Sequence, residues 1–248
     1  MIRVIVNGCS GKMGKEISAA LSDGELTKGK IVLAGQTGRD DDLAAAVVSN
    51  SAQVVVDFTH PSAVYQNVLT ILNAGAHAVV GTTGIHEEQR DQIDRIARQK
   101  NLGVLIAPSF SIGAILMMRF SAEAARYFHD VEIVEYHHER KADAPSGTAI
   151  ATAEQINSAA GFAGDPPAAC QEQFATTSRG ASLGNIRIHA LRLPGFVASQ
   201  EVIFGARGET LKIRHDTIDR SSFIPGVVLG IKKIITRTGV VYGLENII

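Results

Sequence analysis

Cysteine is almost missing from this sequence. Cys9 and Cys170 are the only two in 248 residues, far apart and without CxxC spacing, which excludes a disulfide framework and a cysteine-built zinc site. Both are expected as free thiols, and no metal is expected. Long basic runs are absent as well: Lys plus Arg 24 against Asp plus Glu 25 leaves a formal charge of -1, with nothing to track a phosphate backbone. No nucleic-acid partner is expected. The start, from Met1 and Arg3 into a brief apolar run, lacks the h-region and cleavage site of a secretory signal, so the expected location is cytoplasmic. One uncharged stretch, Asn101 to Met118, approaches the ~18 apolar residues of a spanning helix. Gly103, Pro108, Ser109, Ser111 and Gly113 interrupt it, so a strand, a polar loop and a helix start fit better than a membrane span. There is no internal repeat, no low-complexity linker and no tryptophan.

What is present reads as a globular α/β chain. Hydrophobic residues make up 45% and charged residues 20%, enough apolar side chain for a real core. The length exceeds the ~100 to 200 residues of one domain, and two domains are expected. Short β-branched runs recur as RVIVN, IVLAG, VVVDF, AVVGT and GVLIAP, each resembling a buried strand. Helical spacing lies between them: Met13, Ile17, Ala20 and Leu21 in one segment, Val64, Val68, Ile71 and Leu72 in another. HEEQRDQIDRIARQ adds a third, with acids early and arginines late, as the helix dipole prefers. This alternation predicts a Rossmann-like, doubly wound parallel sheet.

In such a sheet ligands bind beyond the carboxyl ends of the strands. The polar and glycine-rich loops sit there: NGCSGKMG, GQTGR, DFTHP, GTTG and APSFS. Any one of them reads equally as an ordinary turn, but the series points to a dinucleotide. Gly8, Gly11 and Gly14 are spaced GxxGxxG, not the usual GxGxxG. They follow a strand and open a helix, where backbone N–H groups and the helix dipole receive pyrophosphate. Cys9 is expected to pack there as a small residue. An acid usually stands ~20 residues beyond the glycines to hold a ribose 2′-hydroxyl, whereas Gly35 and Gln36 occupy that region here. Thr37 and Arg39 are the candidate partners of a 2′-phosphate, weakened by Asp40, Asp41 and Asp42; a solvated turn is the alternative.

YHHERKADAPSGTA, residues 136 to 149, concentrates polar chemistry behind the strand-like VEIVEY. APSGTAIATAEQI reads as a helix start that places Ser146, Gly147 and Thr148 at an N-terminus able to bind a carboxylate. His137 or His138 can exchange a proton near neutral pH, and Lys141 can hold a second carboxylate or act as an acid. The alternatives are a metal pair and a solvated turn; adjacent strand histidines point to opposite faces, which disfavours the metal.

HHERKADAPSGTA matches, residue by residue, the HHxxKxDAPSGTA signature of the 4-hydroxy-tetrahydrodipicolinate (dihydrodipicolinate) reductase family. GCSGKMG, DFTHP, VVGTTG, APSFSIGA and DRSSFIPGVVLGI resemble that family's other segments in its order. The resemblance covers nearly the whole chain and is nearest to the shorter, actinobacterial-type members. It implies hydride transfer from NADPH or NADH to a cyclic dicarboxylate on the diaminopimelate route to lysine, with loss of its 4-hydroxyl as water. His137 and Lys141 would be catalytic, His138, Ser146, Gly147 and Thr148 would hold the substrate carboxylate, and Asp143 would brace the loop. The dinucleotide would meet Gly8, Cys9, Ser10, Gly11, Lys12, Met13, Arg39, Phe58, Gly81, Thr82, Thr83, Ala107, Pro108, Ser109 and Phe110. Ser109 departs from the family's usual Asn. Residues 1 to 107 and 216 to 248 would form the dinucleotide-binding domain. Residues 108 to 215 would form an α+β domain on a mixed sheet, from NIRIHALRL, SQEVIFGA and ETLKIRHD, that binds substrate and assembles a homotetramer. Two other readings compete: a different nicotinamide dehydrogenase on this fold, and a non-enzymatic dinucleotide sensor. The segment after Tyr136 argues against the first, and the second needs neither His137 nor Lys141.

Overall fold

The computed structural model describes residues 1–25, 27–160 and 179–248, and Cys170 lies outside them. They form two compact units: Met1–Ser111 with Arg220–Ile248, and Ile112–Asp219. The expected boundaries at 107/108 and 215/216 fall four residues earlier in both cases. A cut at 215 would pass through a strand that runs to Thr217.

The first unit is a six-stranded, all-parallel sheet in the order β11-β5-β4-β3-β1-β2. Its strands are β1 (Ile2–Asn7), β2 (Ile31–Thr37), β3 (Val54–Asp57), β4 (His77–Val80), β5 (Gly103–Ile106) and β11 (Gly239–Tyr242). Every residue of β3 and β5 is buried. That is why the runs are apolar without alternation: helices cover both faces of a parallel sheet. The helices are α1 (Lys12–Asp23), α2 (Leu43–Ser49), α3 (Pro61–Asn73), α4 (Glu87–Gln99) and α7 (Ile224–Ile234). Val64, Val68, Ile71 and Leu72 of α3, with Ile93 of α4, pack in one core with Ile5, Val55 and Val104 of the strands. Full burial of each such side chain contributes about 1.5–3 kcal/mol. Gly230 brings α7 against Leu105 and Val79. The strand order reverses between β1 and β3, which places the sheet's ligand crevice at their carboxyl ends.

The second unit carries a five-stranded mixed sheet in the order β10-β9-β6-β8-β7. β6 (Asp130–His137) runs parallel to β8 (Ile186–Arg192) and antiparallel to β9 (Ala198–Ala206); β7 (Ala181–Leu183) and β10 (Glu209–Thr217) pair antiparallel at the edges. Period-two alternation turns Val131, Ile133 and Glu135 of β6 inward and leaves Glu132, Val134 and Tyr136 half-buried on the opposite face. α5 (Ile112–Ala124) and α6 (Gly147–Ala160) belong to the inner side. There Ala149, Ala153 and Ile156 are buried, and Gln200 Nε2 of β9 donates to Thr152 Oγ1 at 2.8 Å. The Asn101–Met118 stretch divides into β5, a loop and the start of α5. Among the described residues no helix is long and apolar enough to cross a membrane.

Candidate functional site

The first glycine loop joins β1 to α1 under close steric control. Gly8 takes φ +85°, a left-handed conformation that L side chains avoid. A Cβ on Gly14 would lie 2.8 Å from the Cα of Cys9 and 2.8 Å from the carbonyl carbon of Gly8, both backbone atoms. Gly11 precedes α1 in extended conformation; the helix has no side-chain cap and no acid in its first turn. Its leading N–H groups therefore lack a protein acceptor of the usual capping kind, as a pyrophosphate site requires. Ser10 and Lys12 are exposed beside this turn, while Met13 and the free thiol of Cys9 are half-buried.

The loop after β2 corrects one expectation. Thr37 is buried and its hydroxyl donates to Asn7 Oδ1 at 2.9 Å, so it does not face a 2′-phosphate. Its carbonyl accepts from Gly8 N at 2.8 Å, tying the glycine loop to β2. Arg39 is exposed. Two of the three acids after it serve the backbone: Asp41 Oδ2 accepts from Gly38 N at 2.7 Å, and Asp42 caps α2 by accepting from Ala45 N at 3.0 Å.

Asp57 organises the neighbouring loops. Its carboxylate is fully buried and accepts from Asn7 Nδ2 at 2.8 Å, Asn67 Nδ2 at 3.0 Å, Thr59 Oγ1 at 2.8 Å and Thr82 Oγ1 at 2.8 Å. These donors come from the end of β1, from α3 and from the loops after β3 and β4, so one acid ties several strand ends together. Phe58, Gly81 and Phe110 come together: the Phe58 ring fills the space a side chain at 81 would take, and its centroid lies 5.6 Å from that of Phe110. Ala107, Thr82 and Phe110 are buried, so they can meet a ligand mainly through backbone; Thr83 and Pro108 are exposed. Ser109 Oγ accepts from Ser111 N at 3.3 Å.

In the second unit the histidine segment leaves β6 at its last residue, His137. Glu135, two residues earlier on the same face, has a fully buried side chain bonded to His137 Nδ1. Its other oxygen accepts from Arg192 Nη2 at 2.9 Å and from Ser146 N at 3.2 Å. Burial pushes the Glu135 carboxyl upward, yet the hydrogen bonds and charges of His137 and Arg192 outweigh it and hold it below the usual carboxylate range. Lys141 Nζ donates to both Asp143 oxygens at 2.7 Å, and this bond chiefly holds the Asp143 carboxyl below its ordinary value. Asp143 therefore holds the lysine ammonium through both carboxylate oxygens. Ser146 caps α6: its Oγ accepts from Ala149 N at 3.2 Å. With the Ser146 N–H given to Glu135, the exposed Gly147 and half-buried Thr148 offer the forward N–H groups of the helix, and apart from its chain neighbours and its own helix backbone nothing lies within 4 Å of a Cβ built on Gly147. That open space suits a ligand carboxylate. His138 Nδ1 is buried without a hydrogen-bond partner. Among the described residues no cluster of His, Cys, Asp or Glu could hold a metal ion.

Sequence reasoning named neither Glu135 nor Arg192, nor the Asp57 network. An acid standing at an inward position of VEIVEY, in phase with Val131 and Ile133, was the available signal for Glu135. Comparison with known proteins adds a consistent result. Residues 2–110 match the dihydrodipicolinate reductase N-terminal family model, and residues 113–248 match the C-terminal one. A 4-hydroxy-tetrahydrodipicolinate reductase from Syntrophomonas wolfei is 48% identical over 99% of this chain and 98% of its own length. One from Coxiella burnetii is 47% identical over 100% and 99%. The solved dipicolinate-bound dihydrodipicolinate reductase of Paenisporosarcina sp. TG-14 superposes with a TM-score of 0.86 at 36% identity over the full length of both chains. An amine dehydrogenase of Mycobacterium smegmatis, at 13% identity and TM-score 0.61, shares the fold alone. By the folded HHERKADAPSGTA segment, both family models and these full-length relatives, the chain belongs to the dihydrodipicolinate reductase family.

Proposed function

We propose that this chain reduces 4-hydroxy-tetrahydrodipicolinate to tetrahydrodipicolinate with NADPH or NADH, a step of the diaminopimelate route to lysine. The observation that carries the reading is the grouping of His137, Lys141 and the open N-terminus of α6 on one short segment. The reduced nicotinamide supplies the hydride when bound. The uncapped turn at Gly11 to Met13 receives the pyrophosphate, and the loops braced by Asp57 shape the rest of the dinucleotide site. Gly147 and Thr148 N–H groups, with His138, hold one substrate carboxylate. Lys141 attracts carboxylate and supplies a proton, and His137 exchanges one at Nε2 as the 4-hydroxyl leaves as water. The first unit thus binds dinucleotide and the second binds substrate.

Cofactor choice tests the reading of the β2 loop. No acid ends β2, so a ribose 2′-hydroxyl finds no carboxylate there and a 2′-phosphate meets no repulsion from one. With Thr37 turned inward, Arg39 is the cation for that phosphate. A well-formed contact contributes about 1.5–3 kcal/mol; exposure and the adjacent acids reduce it. Both cofactors should be used, NADPH with modest preference, and Arg39→Ala should raise the NADPH KM about three- to tenfold while sparing NADH. A tenfold NADH preference in the unaltered enzyme, or an unchanged NADPH KM in the variant, contradicts this.

The outward face of the mixed sheet supports a homotetramer. Val134, Tyr136, Leu191 and Ile203 are half-buried there, beside the pairs Lys212–Glu201 at 3.5 Å and Arg214–Asp216 at 2.8 Å. A half-buried sheet face that interleaves apolar side chains with paired charges such as Glu132–His189 and Glu201–Lys212 suits a subunit contact. Light scattering at micromolar concentration should give four times the 26.3 kDa chain mass; a monomer mass counts against it. A cytoplasmic location is proposed on the family reading alone, and recovery of the activity in a membrane fraction would oppose it.

A further inference from the structure

We infer that Glu135 and Arg192 are positioning residues that set the proton-bearing nitrogen of His137 and the placement of the Lys141 loop, an inference that rests on the proton-transfer reading of His137 and Lys141. A carboxylate with no exposed side-chain surface is costly unless each oxygen is well bonded. Glu135 meets this by joining separate parts of the second unit. Oε2 takes His137 Nδ1; Oε1 takes Arg192 Nη2 at 2.9 Å and the Ser146 N–H at 3.2 Å. One carboxylate therefore connects the histidine at the end of β6 with the first residue before α6.

The chemistry of the bond to His137 is directional. An ionised carboxylate only accepts, so Nδ1 must carry the hydrogen, and in the neutral ring Nε2 is left bare to take a proton or, once protonated, to give one. A histidine held by an acid in this way keeps both tautomer and ring orientation. Arg192 extends the same control to the loop. It lies opposite His137 in the β6–β8 register. Besides Glu135 it donates from Nη2 to the Asp143 carbonyl at 2.7 Å and from Nε to the Lys141 carbonyl at 3.3 Å. A guanidinium has the fixed fork of donors for three acceptors; an ammonium is a point charge without that geometry. The two side chains thus lock the histidine, the lysine-bearing loop and the carboxylate-binding helix end to one another.

A purely structural ion pair would make a different prediction from a positioning one, and Glu135→Gln separates them. Arg192 and the Ser146 N–H both donate toward Oε1, so the glutamine oxygen is claimed there and its NH2 turns to His137. Nδ1 must then accept, and the ring hydrogen moves to Nε2. In enzyme labelled with 15N-histidine, the side-chain resonances of His137 should report Nδ1–H in the unaltered protein and Nε2–H in Glu135→Gln. With this change kcat should fall about 10²-fold or more, as for a lost acid or base, while KM for NADPH stays within about twofold. Arg192→Lys keeps a positive charge beside Glu135 but loses the carbonyl contacts; it should retain the tautomer and raise KM for the dicarboxylate substrate about tenfold.

The inference is overturned by an Nε2–H ring in the unaltered protein, by an unchanged tautomer or near-normal kcat in Glu135→Gln, or by an unchanged substrate KM in Arg192→Lys. Should Glu135→Gln not fold, Arg192→Lys decides alone. If His137→Gln and Lys141→Ala both turn over normally, the proton-transfer reading itself fails. Losses in those two beside a normal Glu135→Gln reject only the positioning roles.

Discussion

Replacing Lys141 with alanine or His137 with glutamine should lower turnover by about 10²-fold or more, the usual scale for a lost general acid or base, with the fold retained. The local structure explains why the effect should fall on rate. The Lys141 partner, Asp143, has a side chain 63% exposed, so removal of the ammonium leaves a carboxylate that water can solvate. His137 is less open, with 14% of its side chain exposed, but glutamine can still meet Glu135 with an amide donor. Neither change opens a core cavity. Turnover followed by nicotinamide absorbance, beside a melting curve for each variant, checks both parts. Unaltered turnover in both variants would remove the residues from the mechanism.

A second large effect is expected from Gly14→Ala, acting on dinucleotide binding. The added methyl would fall well inside contact distance of the Gly8 carbonyl oxygen and 2.8 Å from the Cys9 Cα. Both neighbours are backbone, so no flexible side chain can yield, and either the loop or the first turn of α1 must shift. Overpacking of this kind costs about 1–3 kcal/mol, or roughly five- to 10²-fold in affinity at about 1.4 kcal/mol per tenfold. The NADPH dissociation constant, measured by fluorescence titration, should rise by that factor while the variant remains folded by circular dichroism. A constant within about twofold of the unaltered protein would mean that the loop does not hold the dinucleotide.

Residues close in sequence carried most of the legible information. VVVDF and GVLIAP could be read as strands because burial on both faces removes alternation, and GCSGKMG as a strand-to-helix turn because its glycines precede Ile17 and Leu21 in helical phase. What escaped depends on pairing between distant segments. β11 pairs with β5, far earlier in the chain, so nothing near it in sequence marks its place in the sheet. Thr37 looked available to a phosphate until β1 placed Asn7 beside it. Arg192 joins Glu135 only through the β6–β8 register, which no local pattern specifies. The histidine, lysine and helix start of the candidate site were legible because they share fourteen consecutive residues; the acid and guanidinium that hold them were not.

The first unit is assembled from two separated stretches, and this governs the order in which a growing chain can complete it. Residues 1 to 111 emerge from the ribosome with β5 as an unpaired edge and with Leu105 and Val79 lacking the helix that covers them, because β11 and α7 lie beyond residue 219. At about 5–20 residues per second, the intervening segment delays that closure by roughly 5 to 20 s. Throughout that interval the nascent sheet presents an open edge and an apolar face, the surfaces through which partly made chains associate with one another.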